Sequence, residues 1–176
     1  LSSSDFDKNN VPDSFQEIYS QLLLPAGFRL NTPPSKENES RDYEAMRFML
    51  NGKLILFRQA KITSHKIGQF VTLWKRPSPN AEIMPLDARD NINFCLIATF
   101  TEDKKGIFLF DSDVLIRKGV FSSAPKEGKR AIRVYPSWDF PNSKQAIQTQ
   151  KWQSSYFINL DNQLAAIEKL KNILSN

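Results

Sequence analysis

The chain of 176 residues is about 40% apolar and carries 24 Lys and Arg against 19 Asp and Glu, a net charge of +5. No internal apolar run approaches the roughly 20 residues of a membrane-spanning helix, so the expectation is one soluble, cytoplasmic domain without a membrane partner. The lone Cys95 excludes an internal disulfide framework, and one His with one Cys far apart in sequence gives no zinc-site spacing.

Residues 1–10, Ser-rich and then polar, read as a trimmed, added or disordered terminus, and residues 11–176 as a single domain. From Pro12-Asp13-Ser14 a helix is predicted, since Phe15, Ile18, Tyr19, Leu22 and Leu23 recur every three or four residues until Pro25 and Gly27 end it. Asn31 to Asp42, with Pro33-Pro34 and mixed charges, reads as a solvated loop. Tyr43 to Leu50 and Lys53 to Lys61 flank Asn51-Gly52, a dipeptide suited to the left-handed conformations of a type I′ turn, and a β-hairpin is predicted. After the loop Ile62 to Gly68, a third strand runs from Gln69 to Arg76 and stops at Pro77. Asn93 to Thr101 and Gly106 to Phe110 are two further strands joined by a polar turn, with Cys95 as a buried strand thiol. Asp111 is placed to cap a short helix over Val114, Leu115 and Ile116 that closes at Gly119. Ala131 to Tyr135 is a short strand, Ser143 opens a polar helix reaching Ser154 or beyond, and a last helix starts with Asp161 as its cap. That last helix presents Leu164, Ile167, Leu170 and Leu174 on one side. The order of elements predicts an α+β or mixed α/β domain, with one central sheet flanked by helices.

Charge is unevenly placed. No acid lies between Glu44 and Glu82, yet Arg47, Lys53, Arg58, Lys61, Lys66, Lys75 and Arg76 do, interleaved with Phe48, Phe57, Phe70 and Trp74. Alternation sets Leu54, Leu56, Arg58 and Ala60 on one strand face, so charge gathers where the apolar stretch ends. Two readings stand: stems packed on the sheet with heads in water, or an anion-facing surface left positive because no local acid answers it. A second cluster, Lys126, Lys129, Arg130 and Arg133, leads into Val134-Tyr135-Pro136. In the following helix Lys144, Gln148 and Lys151 share one face, and the helix is too polar for ordinary core packing, so it is either exposed or turned to a polar cleft.

Metal-dependent phosphodiester cleavage needs two or three converging carboxylates around Mg²⁺. The candidates are Glu44, Asp87, Asp90, Asp111, Asp113 and Asp139, of which only Glu44 adjoins the basic strands. A lone strand-end Glu is more often a hydrogen-bond acceptor or an ion-pair partner than a ligand. No Gly-x-Ser-x-Gly elbow and no Gly-rich phosphate loop occurs.

Four separated blocks carry a resemblance: Phe57-Arg58-Gln59-Ala60-Lys61-Ile62-Thr63, Lys66-Ile67-Gly68-Gln69-Phe70 through Arg76, Glu127-Gly128-Lys129-Arg130 with Arg133-Val134-Tyr135-Pro136, and Ser143-Lys144-Gln145-Ala146 with Thr149-Gln150-Lys151-Trp152-Gln153. From about Tyr43 to Leu160 the chain resembles the bacterial MepB-like family, whose biochemical role is undetermined. The resemblance implies a restriction-endonuclease-like α/β fold, a mixed sheet flanked by helices. That superfamily's nuclease signature, an Asp followed by Asp/Glu-x-Lys, is not met, because Gln59-Ala60-Lys61 has an amide where the carboxylate belongs. Fold alone does not confer function. The leading expectation is therefore a nucleic-acid-binding protein whose basic cleft uses Arg58, Lys61, Lys66, Lys75, Arg130, Arg133, Lys144 and Lys151, with Trp74, Trp138 and Trp152 as stacking faces for a single strand. One alternative is a metal-dependent nuclease or phosphoryl-handling enzyme, with Glu44 and one of Asp87, Asp90 or Asp139 as ligands and Lys61 stabilising charge. Another is a small-anion or nucleotide pocket built by Arg58, Lys61, Gln69 and Arg133. No cofactor is expected, except Mg²⁺ under the nuclease alternative, and no protein partner is evident.

Overall fold

The computed structural model describes residues 5–175. Helix α1 (Asp13–Ile18) precedes the two-residue β1 (Ser35–Lys36), the hairpin β2 (Met46–Leu50) and β3 (Lys53–Gln59), and β4 (Lys61–Ile62). Then come β5 (Gln69–Thr72), β6 (Trp74–Lys75), β7 (Met84–Pro85), β8 (Phe94–Ala98), β9 (Gly106–Asp111) and α2 (Ser112–Arg117). The chain continues with β10 (Ala131–Val134), α3 (Lys144–Gln153), β11 (Phe157–Asn159) and α4 (Gln163–Leu174).

Asn51 and Gly52 both take positive φ, 48° and 79°, so the predicted turn forms and sets Leu50 opposite Lys53. The hairpin seeds a six-stranded sheet of order β1-β2-β3-β8-β9-β11, in which β3 and β8 are parallel and the other neighbours antiparallel. Every residue of β8 is buried, as a central strand covered on both faces requires. On one face Ile55, Phe57 and Leu96 pack with Phe15 and Ile18 of α1 and Leu170 of α4. On the other Leu56, Cys95 and Ile97 pack with Val71, Val134 and Phe121. Desolvation pushes the Cys95 thiol up to about 12, which makes it an inert core group. Among the described residues no helix is long and apolar enough to cross a membrane.

Several expectations are corrected. The sheet is not single: β5 lies between β10 and β4 in a three-stranded sheet, and β6 pairs with β7 in a third. The predicted strand Gln69 to Arg76 divides at Leu73: its amide still bonds the Arg130 carbonyl, one step beyond the β5–β10 pairing, and Trp74–Lys75 then turn to β7. Residues 5–10 are not a loose terminus, because Phe6 is buried edge-on against Phe15 and Tyr19, and the Tyr19 hydroxyl donates to Asp5. The first helix widens after Ile18, where Leu24 and Phe28 donate to the Tyr19 and Leu23 carbonyls. The supposed solvated loop holds the edge strand β1. The helix from Ser143 does run past Ser154, ending as a 3-10 turn over Ser154–Tyr156, and β11 follows it, paired with β9. Asn162, not Asp161, caps α4, and its buried stripe is Ala166, Leu170, Ile173 and Leu174, while Leu164 in the first turn is 81% exposed.

Candidate anion-binding cleft

Four of the seven cations of the acid-free block, Arg47, Arg58, Lys75 and Arg76, are paired with carboxylates from elsewhere in the chain. Arg58 is 1% exposed; its Nη1 donates to Glu37 Oε1 at 2.7 Å and to the Phe57 carbonyl, and its Nε donates to the Thr72 carbonyl. Arg47 also reaches Glu37, Arg76 pairs with Glu39, and Lys75 lies 2.6 Å from Asp90. Glu37 and Glu39 arrive because β1 pairs with β2; Asp90 arrives with the turn before β8. Arg58 and Lys75 are thus ion-paired, not free to meet an anion, and Gln69 is buried with its amide donating to the Thr99 carbonyl. The pocket of Arg58, Lys61, Gln69 and Arg133 does not form as a ligand cluster. Arg130 pairs with Glu127 on the surface.

What stays open is a row across the small sheet. Lys61 and Arg133 both register with Phe70, so the three side chains share a face. The Lys61 ammonium sits 5.0 Å from the Tyr43 ring and the Arg133 guanidinium 5.9 Å from the Phe70 ring. Arg133 also donates to Thr63 Oγ1 and to the Gly68 carbonyl, which fixes the loop that carries the exposed Lys66. Gly68 must be glycine here: its φ is +85°, and a Cβ would come 2.7 Å from the Tyr135 ring and 2.9 Å from the Val134 carbonyl.

Beyond Arg133 lies a cleft of about 340 Å³ between β10 and α3, lined by Lys118, Lys129, Arg133, Ser143, Gln145 and Thr149 among others. None of its lining residues is acidic. The polar helix α3 explains itself at this place. Gln153, 1% exposed, accepts from the Tyr135 amide and donates to the Arg133 carbonyl, so one side chain completes the free edge of β10. Gln150 donates to the Pro136 and Asp139 carbonyls. One flank of the helix is therefore zipped to backbone, while Gln145 and Thr149 are left to the cleft. Ser143 caps the helix by accepting from the Ala146 amide. Lys118, just past α2, holds its ammonium 5.6 Å from the Trp152 ring. Sequence reasoning had no signal for Lys118, since only the fold carries the end of α2 against α3. Lys144 and Lys151 are exposed and do not line this cleft.

The tryptophans act as packing. Trp152 lies against Phe110 and Tyr156, and Trp138 sits edge-on to Phe157. The Trp74 indole N–H points to Glu39 Oε1.

The carboxylates do not converge. Asp87 and Asp90 form a capping box, and the Arg89 guanidinium holds Asp87 below the usual carboxylate range. Asp111 caps α2. Burial raises the Asp139 carboxyl above its ordinary value. Glu44 is exposed at φ 52° and forms no ion pair among the described residues. Gln59 accepts a hydrogen bond from Ser14. Among the described residues no group of three or more His, Cys, Asp or Glu side chains is placed to hold a metal ion.

The sequence profile of the MepB-like family matches residues 37–159, from the Arg58 partner Glu37 to the end of β11. The chain belongs to the MepB-like family. It is similar to the solved crystal structure of MepB, at 36% identity and a TM-score of 0.70, over 73% of this chain and 86% of that one. No curated protein matches the chain. Within the MepB-like segment, the residues that carry the resemblance are largely those that build the scaffold: Arg58 in its ion pair, Gly68 under Tyr135, and Gln150 and Gln153 along β10. Helices α1 and α4 lie outside the matched span.

Proposed function

We propose that this MepB-like chain binds the phosphates of a nucleic acid along the face that runs from Lys61 past Arg133 into the β10–α3 cleft. The observation that carries the reading is a cleft lined by Lys118, Lys129 and Arg133 with hydroxyl and amide groups and without a carboxylate. Free cations beside donors of this kind suit phosphate oxygens, and binding releases condensed counterions. Lys66, Lys144 and Lys151, all exposed, widen the positive field around it. In this reading a restriction-endonuclease-like fold serves binding and not cleavage, because Gln59 replaces the signature carboxylate and Asp87, Asp90 and Asp111 are engaged in caps and ion pairs.

The test is an electrophoretic shift titration with duplex and single-stranded DNA at several salt concentrations. Engagement of three phosphates gives a log–log salt slope of about −3. Lys118→Ala and Lys129→Ala each flatten the slope by about one unit. An absence of binding even at low salt overturns the proposal. The cleft volume of about 340 Å³ also falls at the low end of ordinary ligand pockets, roughly 300–1,000 Å³. A mononucleotide binding as tightly as an oligonucleotide would favour that small-anion reading.

A further inference from the structure

On the far side of α3 from the basic cleft, a groove of about 680 Å³ separates α3 from the first half of α4 and is walled by Phe140, Ile147, Ile158 and Ala165. Phe140 is 82% and Ile147 46% exposed, so large apolar side chains stand in water around a concave surface. In its wall Lys169, half-buried on α4, donates to the Ser154 carbonyl at 3.1 Å. An ammonium has three protons to donate, and Lys169 has no other hydrogen-bond acceptor and no carboxylate at ion-pair distance among the described residues. Burial lowers its basicity. Asp139 also lines the groove but makes no ion pair with Lys169. Asp161 is exposed, and Lys151 is a second exposed cation among the lining residues.

We infer that this groove binds an amphipathic monocarboxylate, its apolar body against Phe140 and Ile147 and its carboxylate on the Lys169 ammonium. An anion there supplies the acceptors that Lys169 lacks, and the apolar body removes the exposed rings and methyls from water. A cationic amphiphile would meet an unpaired ammonium in a partly desolvated wall. The chemistry therefore selects against it.

Titration calorimetry with decanoate, decanol and decylamine, each below its aggregation limit, tests the inference. Decanoate binds saturably, decanol about ten-fold more weakly, and decylamine more weakly still. In Lys169→Met the decanoate affinity falls to that of decanol, and the decanol affinity stays within two-fold. Ile147→Asp, at a position already open to water, weakens both. The inference is overturned by the absence of saturable binding, by decylamine binding tightest, or by a decanoate-to-decanol ratio that Lys169→Met leaves unchanged.

Discussion

Arg58 shows how far a residue's role depends on partners distant in the chain. As a basic residue on an apolar strand it reads as charge delivered to a sheet edge, yet it is 1% exposed and tied to Glu37. Removing one partner of such a pair leaves the other charge buried and unpaired, so Glu37→Ala destabilises the fold by about 3 kcal/mol in urea titration. Replacing both partners with Met costs less, since no uncompensated charge remains. Cys95 is the opposite case, readable from its apolar neighbours alone. With its thiol pushed up to about 12, it resists iodoacetamide at pH 8 in the native protein and reacts on unfolding. Burial raises Asp139, so its ionisation opposes folding: the effect is absent where both states are protonated and grows as pH rises through the unfolded value. Asp139→Asn therefore raises the urea midpoint at pH 7 but not at pH 3. Asp5, lowered first by the Tyr19 hydroxyl, and Glu39, lowered first by Arg76, work in the other direction. Their stabilisation is present above the ordinary carboxylate range and is lost as pH falls through it.

Elements were readable where the signal is local. The Asn51-Gly52 hairpin, the Asp111 cap of α2 and the Ser143 cap of α3 are each decided within four residues, and each forms. Gly52→Val forces a β-branched residue into the left-handed region and costs about 1–2 kcal/mol by thermal or urea denaturation. Helix α3 was readable as a helix but not in its purpose, because nothing in its polar pattern says that Gln150 and Gln153 will bond the backbone beside β10. Gln153→Glu keeps an acceptor for the Tyr135 amide but loses the donor to the Arg133 carbonyl and buries a charge. It destabilises by about 2–3 kcal/mol. Strand β5 shows the converse failure. Its existence was readable, but partner choice is not local, and it pairs with β10 and β4 and not within the main sheet.

For the whole molecule, β3, β8 and β9 contribute side chains to both cores, so the two layers share their structural centre. Trp138 and Trp152 lie against the second core, whereas the helical signal includes α1 and α4 on the first. Tryptophan fluorescence and far-ultraviolet circular dichroism are expected to give coincident unfolding transitions, and separated midpoints would show that the layers melt independently. The sequence by itself determined the mixed α/β composition, the hairpin and its register, the caps of α2 and α3, the buried thiol and membership of the MepB-like family. These rest on period, turn chemistry and local words of a few residues, which the chain carries wherever it goes. Only the tertiary structure decided which cations remain free. Ion pairing joins groups far apart in sequence, and here it brings Glu37, Glu39 and Asp90 to the basic strands, moving the unopposed charge to Lys118, Lys129 and Arg133 beside α3.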